Sequence, residues 1–125
     1  MNFLRNFMTL LLLIFLVILY LSCVYVSNHF EYKKGYWFFE FSHLAAGFTI
    51  AAFLSNFLMA TAQIIIGAAF VGLIWEAGEI IIDKSEQIKN FLNKLNIRQG
   101  PITFLDTILD LGLDVTGALI FVLIF

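Results

Sequence analysis

The sequence predicts an all-α membrane protein: a four-transmembrane-helix bundle, with a short amphipathic interfacial helix between helices three and four. Three observations lead there. The 125 residues are 62% hydrophobic and 13% charged, and a small globule exposes too much of its surface to hide that much apolar area from water. The apolar residues fall into runs that reach the roughly 20 residues needed to cross about 30 Å of hydrocarbon. Most lysines and arginines gather in two short intervals between those runs. The length suits one domain, residues 1–125.

The first span is expected over residues 3–27. The run 6–30 has no charged side chain, is longer than the apolar part of a signal peptide, and is followed by no small-residue cleavage site, so a retained helix is expected. Cys23 is the only cysteine, which excludes an internal disulfide. Its place late in an apolar helix predicts a packing role. Tyr20 stands where a lipobox ahead of Cys23 would need an aliphatic residue. Residues 28–35, with His29, Glu31, Lys33 and Lys34, are expected to form a loop. Tyr32, Tyr36 and Trp37 beside it suit an interfacial aromatic belt.

Between residues 41 and 75 the one ionisable side chain is His43. A single helix of that length would run roughly 50 Å, too long for one crossing. The polar interval 55–63 is the expected turn, giving a second span over 36–57 and a third over 60–82. From Asp83 the composition changes, bringing Lys84, Glu86, Lys89, Lys94 and Arg98. Ile88, Phe91, Leu92 and Leu95 recur at i, i+3, i+4 and i+7, which predicts an amphipathic helix over about 84–97. Asp83 and Glu86 are the expected capping pair at its start, and Gly100-Pro101 its expected stop. A solvated linker is the alternative. The fourth span is expected over 103–125. Gly47, Gly67, Gly72, Gly112 and Gly117 are read as contacts that let membrane helices approach closely.

Six of the nine acidic residues fall inside these spans: Glu40, Glu76, Glu79, Asp106, Asp110 and Asp114. A charged group at mid-bilayer costs about 2.5–3.5 kcal/mol or more, so such residues commonly mark function. Apart from Arg5 at the extreme end, the spans contain no lysine or arginine. Compensation must come from protons, water, a bound cation or a cationic ligand. Glu40 and His43 are i, i+3, with Gly47 one turn on. Glu76 and Glu79 repeat that spacing, with Asp83 beyond. Asp106, Asp110 and Asp114 step by four. Each set lines one face of its helix. The start of the second span, the end of the third and the start of the fourth share one membrane side. The groups should therefore meet there, at depths of roughly 5 to 12 Å by helix rise, with Asp114 one turn deeper.

Carboxylates with one imidazole suit a divalent metal ion: Mg or Mn on oxygen donors, Zn or Fe with the histidine included. The expected ligands are His43, Glu76, Glu79, Asp106 and Asp110, supported by Glu40 and Asp83, with Glu76 and Asp114 as candidate catalytic groups. Glu40-Phe41-Ser42-His43 has the ExxH spacing of di-iron bundles, but Glu76-Ala77-Gly78-Glu79 stands where those proteins repeat the motif. The aspartate series also looks like the aspartate helices of membrane prenyltransferases, which hold Mg²⁺ against lipid pyrophosphates. Structural readings compete. Thr103 with Asp106 forms a capping-box pattern, Glu40 is within reach of a surface pair with Lys33 or Lys34, and His43 suits a helix contact. The whole set would serve as a neutral-acid network that holds helices together. Ser42 and Thr107 lie near the cluster, but hydroxyls inside helices commonly bond back to the backbone. No GxSxG elbow or phosphate loop is present. The net charge of −2 and the lack of a basic block exclude a nucleic-acid partner.

At these residues the sequence resembles the VanZ-like and YjdF-like small membrane proteins of prokaryotes. The likeness is carried by Glu40-Phe41-Ser42-His43-Leu44 with Gly47, by Trp75-Glu76-Ala77-Gly78-Glu79, and by Asp106-Thr107-Ile108-Leu109-Asp110 on to Asp114, Thr116, Gly117 and Ala118. It covers about the last 90 residues. The resemblance implies a cell-envelope setting and polar residues that act as a unit, without specifying a reaction. This chain is more acidic than VanZ near Asp110 and Asp114. Lys33, Lys34, Lys84, Lys89, Lys94 and Arg98 share one side, so the positive-inside rule puts the cluster towards the cytoplasm. Arg5 argues the other way. The expectation is a prokaryotic cytoplasmic-membrane protein that binds a metal and acts on a lipid or lipid-linked phosphate, with Lys84, Lys89 and Lys94 facing anionic head groups. A cation or proton pathway and a structural or accessory subunit are the alternatives.

Overall fold

A computed structural model describes residues 2–57, 60–97 and 102–125, and among them all regular structure is helical. The helices are α1 (Asn2–His29), α2 (Tyr32–Leu54), α3 (Thr61–Lys84), α4 (Glu86–Lys94) and α5 (Phe104–Ile124). All but α4 are long and apolar enough to cross a membrane. The protein is a helical membrane protein.

The first turn differs from expectation. The chain breaks only at Phe30 and Glu31, so Lys33 and Lys34 lie in the opening turn of α2 instead of a loop. Glu31 is the N-cap. Its carbonyl accepts from the amides of Lys34 and Gly35, and its carboxylate stands 3.8 Å from the Lys34 ammonium. No proline interrupts this stretch, so helical hydrogen bonding continues through the charged residues. At its other end α2 stops at Leu54, three residues short of the expected 57. The Asn56 side chain donates to the carbonyls of Ala52 and Phe53 and satisfies acceptors that a terminating helix leaves open.

The short fourth helix has different caps from those expected. Ser85 is its N-cap, accepting through its hydroxyl from the Ile88 amide, whereas Asp83 belongs to α3 and pairs with Lys89 at 3.3 Å. The helix ends through Asn96 at φ 58°. The amide of Asn96 donates to the Asn93 carbonyl and that of Ile97 to the Leu92 carbonyl. This is the paired closure of a Schellman motif, and asparagine tolerates the left-handed residue it needs. The expected stop at Gly100-Pro101, and Arg98, lie outside the described residues. Thr103 caps α5, its hydroxyl accepting from the Asp106 amide.

Helix α5 packs between α2 and α3, and α1 packs on α2. The core consists of small residues. Ala51, Ala68 and Ala118 are fully buried, with Ile64 beside them. A methyl group on Gly47 would collide with the backbone carbonyl of Asp114, and one on Gly117 with the carbonyl of Leu44. These two glycines bring the backbones of α2 and α5 into contact, the usual device of packed membrane helices. Gly112, expected to do the same, faces open space. Below the glycines Phe48 packs edge-on against Phe121, with ring centroids 5.4 Å apart.

Candidate metal centre

On α3 the buried residues are Ile64, Ala68, Gly72 and Glu76, and on α5 they include Asp110, Asp114 and Ala118. Steps of four keep each series on one helix face. The faces that bring the backbones together through glycine and alanine therefore continue into carboxylates, and the close crossing buries them. Glu76 is 2% exposed, Asp114 3% and Asp110 8%.

His43 extends from α2 between the two aspartates of α5. Its Nε2 is 3.5 Å from Asp110 Oδ2 and its Nδ1 is 3.4 Å from Asp114 Oδ1. Asp114 fits because α3 carries Gly72 opposite it. A β-carbon there would stand 2.6 Å from Asp114 Oδ2. From α3, Glu76 completes a set in which His43, Glu76 and Asp110 each offer one donor atom within 4.8 Å of the others. Glu76 Oε1 is buried and has no hydrogen-bond partner. Leaving a buried carboxylate oxygen unpaired is costly, about 1–3 kcal/mol or more.

A second set meets the same distance criterion: Glu40, Asp106 and Asp110. Asp110 belongs to both. Glu40 and Asp106, expected in a supporting and a ligand role respectively, thus occupy equivalent positions one turn before His43 and Asp110. Because α2 starts early, His43 stands eleven residues after Tyr32, roughly 16 Å along that helix by its rise.

Three of the expected residues fall outside both sets: Asp114, expected as a catalytic group, meets His43 at its other ring nitrogen, and Glu79 and Asp83 lie elsewhere. Glu79 accepts a 2.9 Å hydrogen bond from the Trp75 indole, and Trp75 meets Tyr20 of α1 edge-on at 5.8 Å. Asp83, expected to support the site, faces Lys89 of α4 instead. The Trp75–Glu79 contact has the i, i+4 spacing that reveals such pairs. The Tyr20–Trp75 contact joins separate helices, and no sequence spacing announces it. Ser42 donates to the Phe38 carbonyl at 2.7 Å, the back-bonding expected of a hydroxyl inside a helix.

The donor set is one that could hold a small divalent ion. Charge-assisted hydrogen bonds usually span about 2.7–2.9 Å, shorter than either histidine contact. Two donors on one tetrahedral ion with bonds of about 2.0–2.1 Å lie roughly 3.4 Å apart. The 3.5 Å between His43 Nε2 and Asp110 Oδ2 is close to that edge. Among the described residues, no lysine or arginine is within ion-pair distance of Glu76, Asp110 or Asp114.

Fold and site together define a helical membrane protein that sets a half-buried histidine among buried carboxylates from its packed helices. No protein-family model matches the chain, and neither a curated protein nor a solved structure is significantly similar to it.

Proposed function

We propose that the chain is a metal-binding protein of the prokaryotic cell envelope, holding a divalent cation between His43, Glu76 and Asp110. The observation that carries this reading is Glu76 Oε1, a buried oxygen without a partner beside an imidazole and a second carboxylate. A cation would satisfy it and offset the negative charge. Asp114 would act from behind the ring, holding Nδ1 so that Nε2 faces the ion, the usual arrangement around metal-bound histidines. Mg, Mn, Zn and Fe all suit the donors. The VanZ-like and YjdF-like resemblance supports the envelope setting through motifs that contain these same residues.

In this reading α1, α2, α3 and α5 span the membrane and α4 lies along its surface. Phe91 of α4 and Leu95 at its C-cap are 60% and 55% exposed, as suits an apolar edge immersed among lipids. Lys84 and Lys94 are exposed, and Lys89 is half-buried against Asp83. These lysines would meet anionic head groups, and the positive-inside rule turns that face towards the cytoplasm. The substrate class that suits such a face is a lipid or lipid-linked phosphate. The ion would polarise a phosphoryl oxygen or activate water, with Glu76 as the group placed to handle a proton.

A second reading has one observation in its favour. His43 touches a carboxylate at each ring nitrogen, so a protonated imidazole would clamp α2 to α5 without any metal. Elemental analysis of the detergent-purified protein separates the two. The metal reading expects a stoichiometric divalent metal that is lost in His43→Ala and Glu76→Gln. Metal-free wild-type protein that also fails to bind added Mn²⁺ or Zn²⁺ would leave the clamp. In α5 beyond Asp114 the one polar side chain is Thr116, and its hydroxyl donates to the Gly112 carbonyl. A proton path through the membrane gains no support there.

A further inference from the structure

Three buried glycines at the helix crossings, Gly47, Gly72 and Gly117, meet different kinds of atom. A β-carbon on Gly47 or Gly117 would strike the backbone of the facing helix. On Gly72 its three nearest neighbours would all be side-chain atoms: Asp114 Oδ2 at 2.6 Å, Leu111 Cδ1 at 3.2 Å and Asp114 Cβ at 3.4 Å. Only the first of these is too close for a packed β-carbon, and it is the free end of a side chain. The approach of α3 to α5 therefore does not require glycine at this position. What Gly72 provides is room for one carboxylate oxygen.

That oxygen is coupled to the imidazole. Asp114 Oδ1 stands 3.4 Å from His43 Nδ1, and the other ring nitrogen faces Asp110. The two oxygens of a carboxylate are rigidly joined, so pushing Oδ2 away from α3 also moves Oδ1 against the ring. Asp114 is almost fully buried, and in a close-packed interior such a displacement is passed on to its neighbours. Gly72 lies one turn before Glu76, and both are buried on one face of α3. That face supplies a donor at Glu76 and a recess at Gly72. We propose that Gly72 is a positioning residue of the metal site: its missing side chain seats Asp114 against His43 and so aims Nε2 at the ion. The proposal rests on the metal reading above and adds to it a residue that has no donor atom.

Affinities for Zn²⁺ and Mn²⁺, measured by chelator competition on the full chain in detergent, test this role in a double-mutant cycle of Gly72→Ala and Asp114→Asn. Gly72→Ala should weaken binding about 10–100-fold, the loss usual for a disturbed partner of a metal-bound histidine. Its metal-free melting temperature should equal or exceed that of the wild type, because alanine favours a helix more than glycine does. A glycine needed for packing would give the opposite pair of results. The double variant should bind no more weakly than Asp114→Asn alone, since both changes act through one carboxylate. Unchanged affinity in Gly72→Ala, or losses that add in the double variant, overturn the role of Gly72 while the metal reading stands. Gly72→Ala protein that aggregates or melts well below the wild type makes Gly72 a packing contact and overturns it too. Wild-type protein that binds neither ion overturns the metal reading itself, and the proposal with it.

Discussion

Helix α1 and the α2–α5 pair solve the same environment in opposite ways. Helix α1 has the highest hydropathy of the spanning helices, yet no residue of its apolar window is buried. Helix α2 is the least apolar of them and packs most extensively, chiefly against α5. In water the ranking would be reversed. In lipid, apolar side chains gain nothing by leaving one hydrocarbon for another, so close backbone approach and polar contacts determine which helices associate. Gly47 and Gly117 supply the approach, and His43 with Asp110 and Asp114 supplies the polar contacts. Helix α1 has leucines and phenylalanines where α2 and α5 have glycine, alanine and carboxylates, and its long face stays free for lipid.

Four changes would break or sharpen that contrast. Gly47→Leu should have the largest effect, because the side chain would occupy the place of the Asp114 carbonyl. The cost should be at or above the upper end of the about 1–3 kcal/mol typical of overpacking, read as loss of monodisperse protein and a lower melting temperature in detergent. Gly112→Ala, facing open space, is the control and should be stable. Asp114→Asn should come next. If Asp114 holds the histidine ring, metal affinity should fall about 10–100-fold, the usual loss for a group behind a metal-bound histidine. An unchanged affinity measured by competition with a metal chelator would remove Asp114 from the site. Acidification should release the metal from the wild type as well, because its ligands bind only when deprotonated.

A smaller change is expected from Trp75→Phe, which deletes the indole donor to Glu79. A hydrogen bond of this kind contributes about 0.5–1.5 kcal/mol. Melting temperature should drop slightly while metal affinity is retained, since Glu79 lies outside both ligand-spaced sets. A large loss of affinity would show that Glu79 is coupled to the ion. Leu13→Ala on α1 should have the least effect, within about 0.5 kcal/mol, because Leu13 is 45% exposed on the side where lipid would lie. A large destabilisation would mean that α1 is held by another surface, such as a second chain.

Much of the site was legible before any fold was known, and for a physical reason. Acidic residues are so costly in hydrocarbon that their presence in three apolar runs is itself a signal, and helical periodicity states which of them share a face. That was enough to place Glu40, His43, Glu76, Asp106, Asp110 and Asp114 together. The same reasoning could not separate Glu79 from the set, because its spacing from Glu76 is as regular as that of His43 from Glu40. Only the rotation of α3 against its neighbours turns Glu76 inward and leaves Glu79 to Trp75.

By itself the sequence determined the helical class, the number of runs long enough to span a membrane, and the residues whose charge needs an answer. These follow from local quantities: the length of apolar runs, the period of the helix and the energy of a charge in lipid. The tertiary structure decided how closely the helices approach, which of two similar glycines is a contact, and that Asp110 faces both donor sets at once. Those outcomes depend on the rotation and offset of one helix against another, and no spacing within a single helix encodes them.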